Sequence, residues 1–226
     1  MGYRILVTIV FLYGLLCGSS LLANSEYRQT VRSHGVLVLG DSISAAYGID
    51  KRDGWVALLE KRLEPQCPGV NIHNASVSGE TSAGGLARLP ALLAVHQPQL
   101  VVIELGGNDG LRGLSPQQMG KNLQQMIALA EEAGAQVALL GMLMPPNLGA
   151  AYVRLFESAM AGVAKDESVL FQTFFLQGVA GQRDLLQVDG LHPTAAAQPL
   201  LLENAWRLLQ KPLAKICQAR VGITMP

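Results

Sequence analysis

Two hydrophobic rhythms alternate along this chain. Short unbroken apolar runs are followed by longer stretches in which apolar residues recur every three or four positions. Residues 35–39 (Gly-Val-Leu-Val-Leu) form the first run. It has no polar alternation, as expected of a strand buried on both faces. Residues 55–63 carry apolar side chains at 55, 58, 59 and 63, a helical stripe that stops before Pro65. A weaker strand follows at 70–74, then a helical stripe at 82–95 in which Pro90 predicts a kink or a break. Residues 100–104 (Leu-Val-Val-Ile-Glu) read as the third strand. Residues 116–133 read as a helix that Ser115 caps, Pro116 opens and Gly134 ends. The remaining pattern predicts strands at 136–141 and 169–171 and helices at 152–164 and 194–209, with Pro212 beyond the last.

Strand–helix alternation implies an α/β fold, with parallel strands and helices on both faces of the sheet. No internal repeat and no Pro/Ser-rich linker interrupts the pattern, so residues 33–217 are expected to form a single domain. The N-terminus is different. Arg4 precedes an apolar run from Ile5 to Leu16, and small residues follow at Gly18, Ser19 and Ser20. That order predicts a secretory signal peptide over about residues 1–23, and hence a periplasmic or secreted protein. With the signal removed, no stable membrane insertion is expected.

Composition narrows the functional classes. Half of the residues are apolar and 15% are charged, so nothing suggests disorder. Lys and Arg number 17, as do Asp and Glu. A balanced chain lacks the basic surplus that sequence-independent nucleic-acid binding requires. Of three cysteines, Cys67 and Cys217 lie beyond the signal. An oxidising compartment permits them to pair, but the sequence leaves open whether they do. No Cys/His cluster or HExxH motif points to a metal, and no cofactor motif is present. His34, His73 and His96 sit singly near element ends and read as surface or satisfied histidines.

In parallel α/β sheets ligands bind beyond the carboxyl ends of the strands, so the residues there carry the chemistry. They are Gly40-Asp41-Ser42-Ile43-Ser44 after strand one, Asn74 to Thr81 after strand two, and Gly106-Gly107-Asn108-Asp109-Gly110 after strand three. The last loop reads Asp189-Gly190-Leu191-His192-Pro193. Each fragment alone is unremarkable turn sequence. Together they supply a hydroxyl (Ser42), a base to accept its proton (His192) and a carboxylate to orient the imidazole (Asp189). The backbone N–H groups of Ser42 and Gly79 and the amide of Asn108 are the candidate oxyanion donors.

In this order, Gly-Asp-Ser, Gly, Gly-x-Asn-Asp and Asp-x-x-His resemble the SGNH (GDSL-type) hydrolase family over residues 36 to about 210. Ile43 stands where that motif has Leu, a change that keeps the bulk, and residues 150–185 match only loosely. The resemblance implies a three-layer α/β/α sandwich around a five-stranded parallel sheet of flavodoxin-like order 2-1-3-4-5. It gives catalytic roles to Ser42, Asp189 and His192 and oxyanion roles to Ser42, Gly79 and Asn108. It also implies a mobile loop at 110–115 beside the acyl chain, with Leu111, Leu114, Met144 and Pro145 as candidate lining. The activity implied is hydrolysis of small-molecule acyl esters and thioesters, including acyl-CoA, lysophospholipids and aryl esters, by a monomer. A carbohydrate O-acetyl esterase and a catalytically silent binding module on the same fold stay open. The α/β-hydrolase class does not, because no Gly-x-Ser-x-Gly elbow occurs.

Overall fold

The first apolar run becomes Gly35–Gly40 (β1), every residue of it buried, at the heart of a parallel sheet ordered β2-β1-β3-β4-β5. The other strands are Asn71–Asn74 (β2), Leu100–Glu104 (β3), Gln136–Leu140 (β4) and Leu170–Gln172 (β5). The computed structural model describes residues 35–163, 165 and 168–221; the expected signal at 1–23 lies outside them. Helices are Trp55–Leu63 (α1), Ser82–His96 (α2), Gly107–Leu111 (α3), Pro116–Glu132 (α4), Ala150–Val163 (α5) and Gln198–Val221 (α6).

Strand order reverses between β2 and β3, and right-handed crossovers then put α1 on one face and α2, α4 and α5 on the other. α6 returns to pack on α1, closing a three-layer sandwich. α4 illustrates how sequence becomes packing. The Ser115 hydroxyl accepts the Gln118 N–H at 3.3 Å, Pro116 occupies the first turn, and Gly134 leaves the helix at φ 80°. Met119, Leu123, Met126, Ile127 and Ala130 form its buried stripe. Among the described residues no helix is long and apolar enough to cross a membrane.

Three expectations change. Pro90 does not break α2, which runs continuously from Ser82 to His96 with Leu89 and Leu93 buried on either side of it. Nor does the last helix stop before Pro212: α6 passes through it to Val221. Proline inside a helix costs about 3 kcal/mol. Beyond it α6 buries Leu213 and Ile216, worth ~1.5–3 kcal/mol each. Cys217, also beyond Pro212, is joined to Cys67 by a disulfide that spans 150 residues, with Cα atoms 5.3 Å apart. That packing and that bond outweigh the lost backbone hydrogen bond. Finally, His73 and His96 are not solitary: their rings stack at 3.6 Å between centroids.

Candidate active site

β1 ends at Gly40, and the chain turns at once through Asp41 and Ser42 into a helical turn closed by the Ala45 N–H on the Asp41 carbonyl and the Tyr47 N–H on the Ser42 carbonyl. Ala46 holds φ 58°, a left-handed conformation unusual for a side-chain-bearing residue. This turn is braced from below. The Trp55 indole donates to Ser44 Oγ at 3.1 Å, and Ser44 Oγ donates to Glu104 Oε2 at 2.6 Å. Only glycine fits at 40, where a Cβ would stand 2.9 Å from that carboxylate oxygen and 2.7 Å from the Ser44 Cβ.

The loop after β2 continues the sheet pairing, with the Val77 N–H donated to the Gly40 carbonyl. It then turns at Gly79 with φ 79°. Arg88 ties the loop down through Glu80 at 2.7 Å and the Ala75 carbonyl at 2.9 Å, and Arg112 donates to the Gly79 carbonyl at 2.9 Å. The segment after β3, expected as a loop, is the one-turn helix α3, entered through Gly106 at φ 108°. The buried Asp109 carboxylate anchors it, accepting the Ser82 N–H at 2.8 Å and hydroxyl at 2.6 Å, while Asn122 donates to the same hydroxyl at 2.9 Å. α3 is thereby fixed to α2 and α4, and Asn108 is fixed with it. One N–H of the Asn108 amide goes to Asp41 Oδ2 at 2.9 Å.

Onto this floor the last loop lowers His192. Its Nε2 lies 2.9 Å from Ser42 Oγ, across 150 residues of sequence, and its Nδ1 lies 2.7 Å from Asp189 Oδ2. The other Asp189 oxygen accepts the backbone N–H groups of Leu191 and His192 at 2.9 and 3.0 Å. Gln187 holds the loop, donating to the Tyr47 and Pro193 carbonyls at 2.8 and 3.0 Å, and the Tyr47 ring packs on the imidazole at 4.6 Å. The hydrogen bond from His192, helped by the two backbone donors, holds the Asp189 carboxyl down at about 2. The Asp189 side chain is 43% exposed. Its charge is therefore screened by water, and its grip on the imidazole rests on hydrogen-bond geometry. Asp41 behaves oppositely: burial pushes its carboxyl up to about 6, against the pull of the Ile43 N–H and the nearby His192.

Ser42, Gly79, Asn108 and His192 all face one pocket of about 310 Å³. Neither the Ser42 nor the Gly79 N–H has an acceptor among the described residues, and the second N–H of Asn108 is free of one too. Three residues with N–H groups left over thus line the pocket that holds the Ser42 hydroxyl. Leu111, Met144 and Pro145 line the pocket as expected. Leu114 does not: it is 43% exposed, and its carbonyl accepts the Tyr152 hydroxyl at 2.7 Å. Ile43, Tyr47, Leu143, Leu176 and Leu191 line it instead. They sit on separate loops that only the fold brings together, although Ile43 and Leu191 flank motif residues and were discoverable on that ground. Nothing local marked Glu104, Ser82 or Asn122 as supports of the site.

Residues 38–199 match the GDSL-like lipase/acylhydrolase family. The chain is 53% identical over 195 residues to the esterase TesA of Pseudomonas aeruginosa, covering 86% of this chain and 96% of that one. It is 41% identical over 175 residues to thioesterase 1/protease 1/lysophospholipase L1 of Escherichia coli, covering 77% and 83%. A crystal structure of TesA superposes with a TM-score of 0.76 at 55% identity, covering 79% of this chain and 99% of that one.

Proposed function

The chain belongs to the GDSL-like lipase/acylhydrolase family, and from that membership we propose that it cleaves acyl esters and thioesters with Ser42 as nucleophile, His192 as general base and Asp189 as the residue that orients the imidazole. That it is an ester hydrolase follows from the family and from relatives named esterase and thioesterase. The assignment of residues rests on one observation above all. A serine hydroxyl, an imidazole and a carboxylate from opposite ends of the chain stand in a continuous hydrogen-bonded line at the mouth of an apolar pocket.

In the reaction so proposed, Ser42 Oγ attacks the substrate carbonyl carbon while its proton passes to His192 Nε2. The carbonyl oxygen gains negative charge among the N–H groups of Ser42, Gly79 and Asn108, which are in place before the charge forms. His192 then gives its proton to the departing alcohol or thiol. A water, deprotonated by the same imidazole, then attacks the acyl carbonyl; the bond to Oγ breaks, the acid leaves, and Ser42 Oγ takes the proton back from His192. Asp189 keeps Nδ1 protonated throughout, so that Nε2 is the nitrogen that takes and returns the proton. All groups come from one chain, so a monomer suffices.

The lining by Leu111, Leu143, Met144, Pro145 and Leu176 supports an acyl chain over a polar acetyl-sugar in the pocket. The Cys67–Cys217 disulfide supports the export that the N-terminal sequence suggests, since such bonds persist in oxidising compartments. We read residues 33–217 as one catalytic domain acting in the periplasm or outside the cell. Comparison of kcat/KM for p-nitrophenyl acetate and octanoate tests the pocket: octanoate is expected to be the better substrate. A strong preference for acetate would remove the acyl-chain reading and restore the O-acetyl esterase.

A further inference from the structure

Glu104 is the last residue of β3 and is completely buried, yet the hydrolytic steps above do not use it. A buried carboxylate with no cation beside it is costly unless it is neutral or fully hydrogen-bonded. Glu104 has no such cation among the described residues. Its Oε2 accepts the Ser44 hydroxyl at 2.6 Å and, at 3.4 Å, the Asp41 N–H. Its Oε1 is buried with no hydrogen-bond partner among the described residues. Its carboxyl group lies beside Asp41, itself buried at 3% exposure, and the Asp41 charge acts on it. Two adjacent carboxylates would both be acceptors, leaving the orphan oxygen unexplained. One proton shared by the two groups removes the repulsion and turns one of their oxygens from an acceptor into a donor.

We propose that Glu104 and Asp41 share a single proton, and that this acid pair makes Glu104 a positioning residue that aims the Asn108 amide at the substrate carbonyl. Protonated Glu104 donates to the Asp41 carboxylate. Asp41 accepts the Ile43 N–H on Oδ1 at 3.0 Å and one Asn108 amide N–H on Oδ2 at 2.9 Å. An amide with one N–H pinned in this way has its second N–H fixed in direction, toward the pocket. The chain Trp55, Ser44, Glu104, Asp41, Asn108 therefore runs from the core to the proposed oxyanion site, joined to Asp41 through its backbone N–H on Glu104. Burial and the neighbouring Asp41 charge both push the Glu104 carboxyl well above the ordinary carboxylate range, in keeping with the neutral form. The titratable group acting on the pair from another element is His192, which favours the ionised form of Asp41. Ser44, Trp55 and Asn108, which complete the surroundings, are neutral.

The inference rests on the oxyanion role of Asn108, and its test separates the two. Glu104→Gln mimics the protonated acid, with an N–H for Asp41 and an oxygen for Ser44; kcat is expected within about threefold of the native value. Glu104→Leu fills the same volume without either group. Its kcat is expected to fall about 100–1000-fold, the scale of losing one oxyanion donor, with KM little changed. Combining Glu104→Leu with Asn108→Ala should cost no more than Asn108→Ala alone, because both remove the same donor. Native kcat should decline at alkaline pH as the pair loses its proton, and Glu104→Gln should lack that decline. Infrared spectroscopy reads the proton without activity. A protonated-carboxylic-acid carbonyl band, sensitive to exchange into D₂O, is expected in the native protein at pH 7 and absent from Glu104→Gln. Absence of that band from the native protein, or a Gln variant as impaired as the Leu variant, overturns the proposal. If instead the band is present but Asn108→Ala keeps full kcat, the oxyanion reading fails, and the aiming role of the pair with it. Should the Leu variant not fold, the Gln variant and the infrared band still decide.

Discussion

Replacing the Cys67–Cys217 disulfide tests how the two ends of the domain are held. The bond joins the segment after α1 to the far end of α6 and encloses 150 residues, including β2 to β5. In the chain-entropy treatment, closing a loop of that length removes about 17 cal/mol/K from the unfolded chain, or ~5 kcal/mol at 25 °C. Residual denatured-state structure lowers the measured figure, so a loss of about 3–5 kcal/mol is expected for Cys67→Ala with Cys217→Ser. Alanine suits position 67, which is 4% exposed and has no room for an unpaired hydroxyl. The assay is equilibrium urea unfolding followed by circular dichroism. Beyond the shift in midpoint, the slope m should rise, because an uncrosslinked unfolded chain exposes more surface. Ser42 lies outside the enclosed loop and His192 within it, yet their contact is made by the sheet and by Gln187, so kcat at 25 °C should be unchanged. A stability loss below about 1 kcal/mol with an unchanged m would refute the loop-entropy reasoning. It would mean that α6 beyond Pro212 frays independently of the sheet.

Three further outcomes follow from the site. Asn108→Ala should lower kcat about 100–1000-fold with a smaller change in KM, measured on p-nitrophenyl esters; an equal rise in KM with intact kcat would assign Asn108 to ground-state binding. Asp189→Asn should lower kcat by about 10⁴-fold by favouring the wrong imidazole tautomer. The same carboxyl links stability to acid. Its folded-state value is depressed to about 2 from an ordinary 3.8, so its contribution is present above pH 4 and is lost as pH falls through 2. Asp189→Asn should therefore show a weaker fall in stability between pH 4 and 2 than the native protein, read by thermal melting.

The strands were legible where burial is complete. β1 and β3 are buried along their whole length, and apart from Glu104 at the end of β3 their sequences are apolar runs without polar alternation. The candidate constellation was legible for a different reason: a nucleophile, a base and oxyanion donors would demand particular residue types at strand ends, and those types stand there. Position by position, the limits are equally physical. Pro212 signals a helix end locally, but beyond it Leu213 and Ile216 are buried and Cys217 bonds Cys67, 150 residues away. Leu114 and Leu143 look alike in sequence; the Tyr152 hydrogen bond to the Leu114 backbone and the course of the chain after β4 decide which one faces the pocket. Glu104 read as the polar end of a strand, and its significance depends on Gly40, Asp41 and Ser44 arriving beside it.

The account stands on Ser42 being the activated nucleophile. Treating the folded protein with a fluorophosphonate at neutral pH and locating the adduct by mass spectrometry tests this directly. One adduct on Ser42 is expected, absent from Ser42→Ala and formed far more slowly in His192→Ala. An unlabelled Ser42 in folded, native protein, or an adduct on a different residue, would contradict it.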